Sequence, residues 1–213
     1  MSATPAALLL DLDGTLVDSE PLQRAAYTSY FASRGWDVAD LRVFTGRRAS
    51  DVFATEPGPW AGEDPVGLHE AVLGHFPPEA VPAVVPGARE VVLAAAAAAV
   101  PVAIVTSAGV AWVERAMDSL GVLDQVALVV SATDVVNGKP HPAGYLLAVA
   151  RLGVPAADCV AAEDSPAGVR AAVAAGVGEV VGVTTTHSEG VLTAAGATSV
   201  SPDLRDLATR LQR

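Results

Sequence analysis

The chain has 213 residues, enough for one large domain or a domain carrying an insertion, and it can bury a core without disulfides or a structural metal. Its formal net charge of -11 argues against a nucleic-acid partner, because a polyanion is held by clustered Lys and Arg. A single cysteine, Cys159, excludes an internal disulfide, and the longest apolar run, Val91 to Val105, contains Pro101 and falls short of the roughly 20 residues a membrane span requires.

The start, Met1-Ser2-Ala3-Thr4-Pro5, lacks the basic residues and apolar run of a secretory signal, so the expected location is the cytoplasm. Ala6 to Leu10 follows as an apolar run suited to a strand buried on both faces. It opens into Asp11-Leu12-Asp13-Gly14-Thr15. On a continued strand Asp11 and Asp13 would share a face at a buried strand end, where ionised carboxylates cannot stay unpaired. A metal at the strand end answers that cost, and Gly14 allows a sharp turn.

From about Asp18 to Val85 no strand is predicted, and helical spacing covers Pro21 to Arg34 and Asp64 to Phe76. The exit, Pro77-Pro78 through Pro82 to Pro86-Gly87, has the proline density of a semi-rigid linker. The expected division is therefore a core of residues 1–17 and 86–213 with an α-helical cap of residues 18–85, hinged where it could cover a site and exclude water.

Ala94 to Ala99 reads as a helix of small side chains, and Val100 to Val105 as the next buried strand. The strand ends in Thr106-Ser107-Ala108-Gly109, a predicted helix amino terminus whose hydroxyl and free amides suit a phosphate oxygen. Thr and Ser are also ordinary helix caps, so both readings stand at this point. After a strand over Val126 to Val130 comes Gly138-Lys139-Pro140-His141-Pro142. Lys139 is the sole lysine among 13 basic residues, which points to a position that needs an ammonium group. Pro140 stiffens the loop that aims it, Pro142 fits the first turn of a helix running to Leu152, and His141 reads as a structural loop residue.

The strand Cys159 to Ala162 leads to Glu163-Asp164-Ser165-Pro166, with Ser165 as helix cap and Pro166 in the first helical position. Val180 to Val183 is the last apolar strand. Strands and helices alternating in this way predict an α/β fold: a doubly wound, mostly parallel sheet with helices on both faces, binding ligands at the carboxyl ends of its strands.

The string Asp11-Leu12-Asp13-Gly14-Thr15 resembles the Asp-x-Asp-x-Thr motif of phosphatases in the haloacid dehalogenase-like hydrolase superfamily. The resemblance implies that Asp11 is a nucleophile forming an aspartyl-phosphate, and that Asp13 protonates the leaving oxygen and later activates water. Dehalogenases of the superfamily lack the second Asp, so Asp13 favours phosphate chemistry. Thr106 matches the family's phosphate-binding Thr or Ser; Ser107, a further substrate-binding candidate, stands where many relatives have Asn. Lys139 resembles the lysine that links the nucleophile to the transferring phosphoryl group. Asp11, the backbone carbonyl of Asp13 and Asp164 would hold Mg2+, with Glu163 as an auxiliary or water-mediated ligand.

The helical insertion, the Glu163-Asp164 pair and the Gly-Lys-Pro-His-Pro string look like the branch of sugar-phosphate phosphatases, phosphoglycolate phosphatase and beta-phosphoglucomutase. The mutase carries a His on its first cap helix where this chain has Gln23, a candidate sugar-facing donor. In Thr45-Gly46-Arg47-Arg48, Arg48 aligns with the Arg of a Gly-x-Arg cap loop and could fork onto a hydroxyl or phosphate, the alternative being a solvated surface pair. The expectation is a magnesium-dependent phosphatase acting on a small-molecule phosphate monoester, a sugar or polyol phosphate, as a monomer. A beta-phosphoglucomutase-type phosphotransferase is the competing enzyme; outside enzymes, a phospho-receiver or binding module is the alternative.

Overall fold

The computed structural model describes residues 4–77 and 79–212. Met1 to Ala3 of the expected non-signal start and Pro78 of the predicted linker lie outside the described residues.

The chain begins with β1 (Ala7–Leu10) and β2 (Val17–Asp18), then runs through α1 (Glu20–Ser33), α2 (Ala49–Thr55) and α3 (Pro65–Leu73) to β3 (Ala83–Val84). It continues with α4 (Ala88–Ala97), β4 (Val102–Val105), α5 (Val110–Leu120), β5 (Leu128–Val130) and α6 (Ala143–Leu152). The last third holds β6 (Cys159–Glu163), α7 (Pro166–Ala174), β7 (Glu179–Val183), α8 (Glu189–Ala195), β8 (Ser199–Ser201) and α9 (Arg205–Leu211).

Six strands form one parallel sheet in the order β5-β4-β1-β6-β7-β8, so the first strand of the chain is central. Side chains alternate between the faces, and both faces are covered. Leu8, Leu10, Val102 and Ile104 pack with Val91, Val92, Met117 and Leu207 of α4, α5 and α9. Ala7, Leu9, Ala103 and Val105 face the other way, against Tyr145, Val169, Ala172 and Leu192 of α6, α7 and α8. This is the predicted doubly wound fold, and it explains why these strands read as continuous apolar runs.

The sequence reading missed β8, which is short, polar and at the sheet edge, and the antiparallel pair of β2 with β3, where Val17 faces Val84. Strands of two residues show no alternation to detect. That pair ties the segment's entry to its exit, so the expectation of no strand between Asp18 and Val85 is corrected. Between them α1, α2 and α3 share a separate aromatic cluster containing Tyr27, Phe31, Phe44, Phe53 and Trp60. Trp36 packs against that cluster. Asp64 caps α3 by accepting from the amides of Val66 and Gly67, and Pro65 follows in the first turn. The predicted strand from Val100 begins at Val102, because the Val100 amide closes the end of α4 on the Ala95 carbonyl and Pro101 has no amide to donate.

Leu10 is fully buried in the central strand. Leu10→Ala is expected to cost about 2–5 kcal/mol, read as a lower urea midpoint at unchanged slope.

Candidate active site

β1, β4 and β6 lie side by side and end together, which brings Asp11, Thr106, Glu163 and Asp164 to one edge of the sheet. Past Leu10 the backbone leaves the strand. The Leu12 carbonyl accepts from the amides of Thr15, Leu16 and Val17, making a tight loop that carries Asp13 out of the six-stranded sheet. Gly14 sits in this loop at φ 82°, and a Cβ there would lie 2.1 Å from Asp164 Oδ2. Position 14 therefore needs glycine for both its backbone angle and its approach to the carboxylate.

Lys139 is buried beneath the strand ends and is the hub of the site. Its Nζ donates to Asp11 Oδ1 at 2.5 Å and to the Val105 carbonyl at 2.8 Å, and lies 2.6 Å from Glu163 Oε1. Burial, the largest influence, opposes the ammonium charge, but Asp11 and Glu163 outweigh it, so the pKa is raised and the group stays protonated. Tyr145, fully buried in α6, donates its hydroxyl to the same Glu163 oxygen at 2.5 Å. Glu163 Oε1 thus has two donors, and Ser165 Oγ lies 3.5 Å from Oε2.

The remaining carboxylate oxygens differ. Asp11 Oδ2 and Asp164 Oδ1 are buried with no hydrogen-bond partner among the described residues. Asp164 is otherwise held by Thr186, whose hydroxyl lies 2.5 Å from its Oδ2 and 2.9 Å from its carbonyl. Burial, then the charges of Asp11 and Glu163, push the Asp164 carboxyl well above the carboxylate range; burial also raises Glu163 against the pull of Lys139. Asp11, Glu163 and Asp164 present oxygens within 4.8 Å of one another, so three buried carboxylates face one ammonium. Two unpartnered hard oxygens in an anionic pocket suit a divalent cation.

Asp13 Oδ1 accepts from Ser19 Oγ at 2.6 Å, Trp112 Nε1 at 2.8 Å and Gln23 Nε2 at 3.1 Å. Burial first, and then repulsion from Asp11, hold this carboxyl at about 6 against the lowering effect of Ser19 and Trp112. Asp11 and Asp13 line a cavity of about 410 Å³, together with Thr106, Ser107 and Gln23. Much of the rest of the lining is aromatic, from Tyr27, Phe44, Phe76 and Trp112, with Arg47, Arg115 and His69 as polar residues.

The predicted helix start at Thr106 is corrected: α5 begins at Val110, and its cap position, Gly109, has no side-chain bond. Thr106 Oγ1 instead accepts from the Ala108 amide at 3.0 Å, within the loop. Ser107 donates to the Gly46 carbonyl at 3.1 Å, linking the strand end to the helical segment. Arg48, expected to fork onto substrate, donates instead to the carbonyls of Ala132, Val135 and Val136, and its neighbour Arg47 lines the cavity. His141 behaves as the predicted loop residue, its ring accepting from the Ala143 amide.

Sequence reasoning missed Tyr145, Thr186 and Trp112 as site residues. A fully buried tyrosine hydroxyl needs a partner, so Tyr145 carried a signal once burial was inferred. Trp112 and Thr186 carried none, since their importance lies in residues far away in the chain.

A family model for haloacid dehalogenase-like hydrolases matches residues 5–176. The validoxylamine A 7'-phosphate phosphatase of Streptomyces hygroscopicus subsp. limoneus is 37% identical over 183 residues, covering 84% of this chain and 85% of that protein. Hexitol phosphatase A of Escherichia coli (strain K12) is 32% identical over 170 residues, 79% of this chain and 78% of its own. Among solved structures, CbbY from Rhodobacter sphaeroides in complex with phosphate superposes with a TM-score of 0.79 at 28% identity, covering 96% of each chain.

Removing the ammonium leaves the three carboxylates uncompensated. In chelator, Lys139→Met is expected to lose about 3–5 kcal/mol of unfolding free energy. Adding Glu163→Gln should recover part of that loss in a double-mutant cycle measured by urea denaturation.

Proposed function

The chain belongs to the haloacid dehalogenase-like hydrolase family and is a phosphoric monoester hydrolase of sugar-phosphate type, and we propose that it cleaves a sugar or polyol phosphate with Mg2+ through an aspartyl-phosphate on Asp11. The observation that carries this reading is the arrangement around Lys139. The ammonium binds one oxygen of Asp11, while the other oxygen and Asp164 Oδ1 stay unpartnered among the described residues, and Asp11 lines a cavity large enough for a small organic phosphate.

In this reading Asp11 and Asp164, with the backbone carbonyl of Asp13, would hold the cation. When bound, it offsets phosphate charge so that an anionic carboxylate can approach phosphorus. Lys139 supplies a second positive charge, held by Asp11 and Glu163, so Glu163 acts mainly by fixing that lysine. Thr106, whose oxygen already accepts an amide, directs its hydroxyl hydrogen to a phosphate oxygen. Asp13 gives a proton to the departing alcohol and then takes one from the attacking water. Residues 18–85 act as a cap over a core of residues 1–17 and 86–213: Arg48 binds the cap to the loop after β5, and Arg47, His69 and the aromatic wall meet the organic part of the substrate.

Hydrolysis is preferred to mutase chemistry because Gln23, bonded to Asp13, is an amide and cannot exchange protons as an imidazole can. The likeness to a validoxylamine phosphate phosphatase and a hexitol phosphatase supports cyclic and linear polyol phosphates as the substrates to try first. Isomerisation of a hexose phosphate in place of phosphate release would overturn the preference.

Two measurements check the assignment. Asp11→Asn is expected to abolish phosphate release from a panel of hexose, pentose, hexitol and cyclitol phosphates with the circular dichroism unchanged, and sustained release under Mg2+ would sink the aspartyl-phosphate. Mg2+ at about 100 times its Kd should stabilise the protein by about 2.7 kcal/mol, seen as a raised Tm that Asp164→Asn removes.

A further inference from the structure

We infer that Trp112 is a positioning residue for proton transfer by Asp13, its indole N–H fixing which carboxyl oxygen carries the proton to the leaving alcohol. The inference rests on the phosphatase reading above and extends it to a residue that no motif contains.

All three donors to Asp13 converge on Oδ1, and Oδ2 has no partner among the described residues. The donors are not equivalent. Ser19 and Gln23 come from the start of the helical segment and bond to each other, Gln23 Nε2 donating to Ser19 Oγ at 3.0 Å. Ser19 occupies the cap position of α1 yet makes no capping bond, because its hydroxyl is turned to Asp13 instead. A serine hydroxyl can donate or accept, and a carboxamide can turn to present its oxygen in place of its nitrogen, so Ser19 and Gln23 by themselves would let the proton sit on either carboxyl oxygen.

Trp112 removes that freedom. It stands in the first turn of α5, rooted in the sheet-bearing part of the fold, and its ring lies 5.7 Å from that of Phe76. An indole N–H only donates. With Trp112 Nε1 at 2.8 Å, Oδ1 remains an acceptor whether Asp13 is ionised or neutral, and the proton of the neutral form resides on Oδ2. Asp13 and Trp112 both line the cavity that would hold the alcohol.

In the first half-reaction a carboxylate oxygen of Asp11 forms a bond to phosphorus as the bond from phosphorus to the alcohol oxygen breaks. The Oδ2 proton passes to that oxygen, leaving Asp13 ionised. In the second, water adds to the phosphoryl group, gives its proton to Asp13, and inorganic phosphate leaves as Asp11 is restored.

A fixed proton donor matters most when the leaving oxygen is basic and hardly at all when it departs readily as an anion. The test compares Trp112→Phe with the wild-type enzyme under Mg2+ on phenyl, para-nitrophenyl and dinitrophenyl phosphates, reading kcat/KM, which reports steps only up to departure of the phenol. The expected result is a loss of about 10- to 100-fold on phenyl phosphate, shrinking to about 2-fold or less on the dinitrophenyl ester as the need for a proton disappears. In an Asp13→Asn background the same substitution should have no further effect, because Trp112 acts through the carboxyl. Trp112→Leu replaces Trp112→Phe if circular dichroism shows the latter misfolded. An equal loss across the three esters, or a loss that persists without Asp13, overturns the inference and leaves the phosphatase reading intact. Failure of the wild-type enzyme on the whole series overturns both.

Discussion

Concentrated negative charge at the carboxyl edge of a buried parallel sheet is the constraint on which the rest depends. Asp11, Glu163 and Asp164 are all buried, and one ammonium, Lys139, lies among them. Such a cluster tolerates ionisation only where every oxygen has a donor or a cation. Tyr145 and Lys139 meet that need at Glu163, and Thr186 at one oxygen of Asp164. The two oxygens left over, in a cluster of three buried carboxylates, suit a divalent cation. Stability and chemistry are coupled here, since the groups that make the site costly to fold are those that make it fit for phosphate.

The fold supplies this cluster through strand order. β1 lies between β4 and β6, so three strands far apart in the chain end beside one another. The short β2 and β3 pair brings the helical segment back to the point where it left, and its aromatic cluster is separate from the two clusters flanking the sheet. Contacts from Gly46 to Ser107, Arg48 to the loop after β5, and Gln23 to Asp13 tie the segment to the strand ends, with the cavity between.

Much of this was legible beforehand. Continuous apolar runs marked the five longer or more apolar strands because both faces of the sheet are covered. Ser165-Pro166 marked a helix start through chemistry that does not depend on the surroundings, and the Ser165 hydroxyl does accept from the Gly168 amide. Lys139 stood out as the sole lysine in the chain, and it proves to be buried against Asp11. Two readings that the sequence left open have physical outcomes. Thr106 and Ser107 could be read as helix caps or as phosphate-binding hydroxyls, and the loop continues to Gly109 before α5 begins, so neither caps that helix. Arg48 had the composition of a substrate fork, but carbonyls on a distant loop lie closer to its guanidinium.

By itself the sequence determined the doubly wound sheet and the identities and order of Asp11, Asp13, Thr106, Lys139, Glu163 and Asp164, because strand burial, caps and acidic turns are encoded within a few neighbouring residues. Only the tertiary structure decided which carboxylate oxygens have hydrogen-bond partners among the described residues, and which side chains bond to Asp13. Trp112 is 99 residues from Asp13 and Tyr145 is 18 from Glu163. Hydrogen bonds across such separations are set by how helices pack on the sheet, which local pattern does not carry.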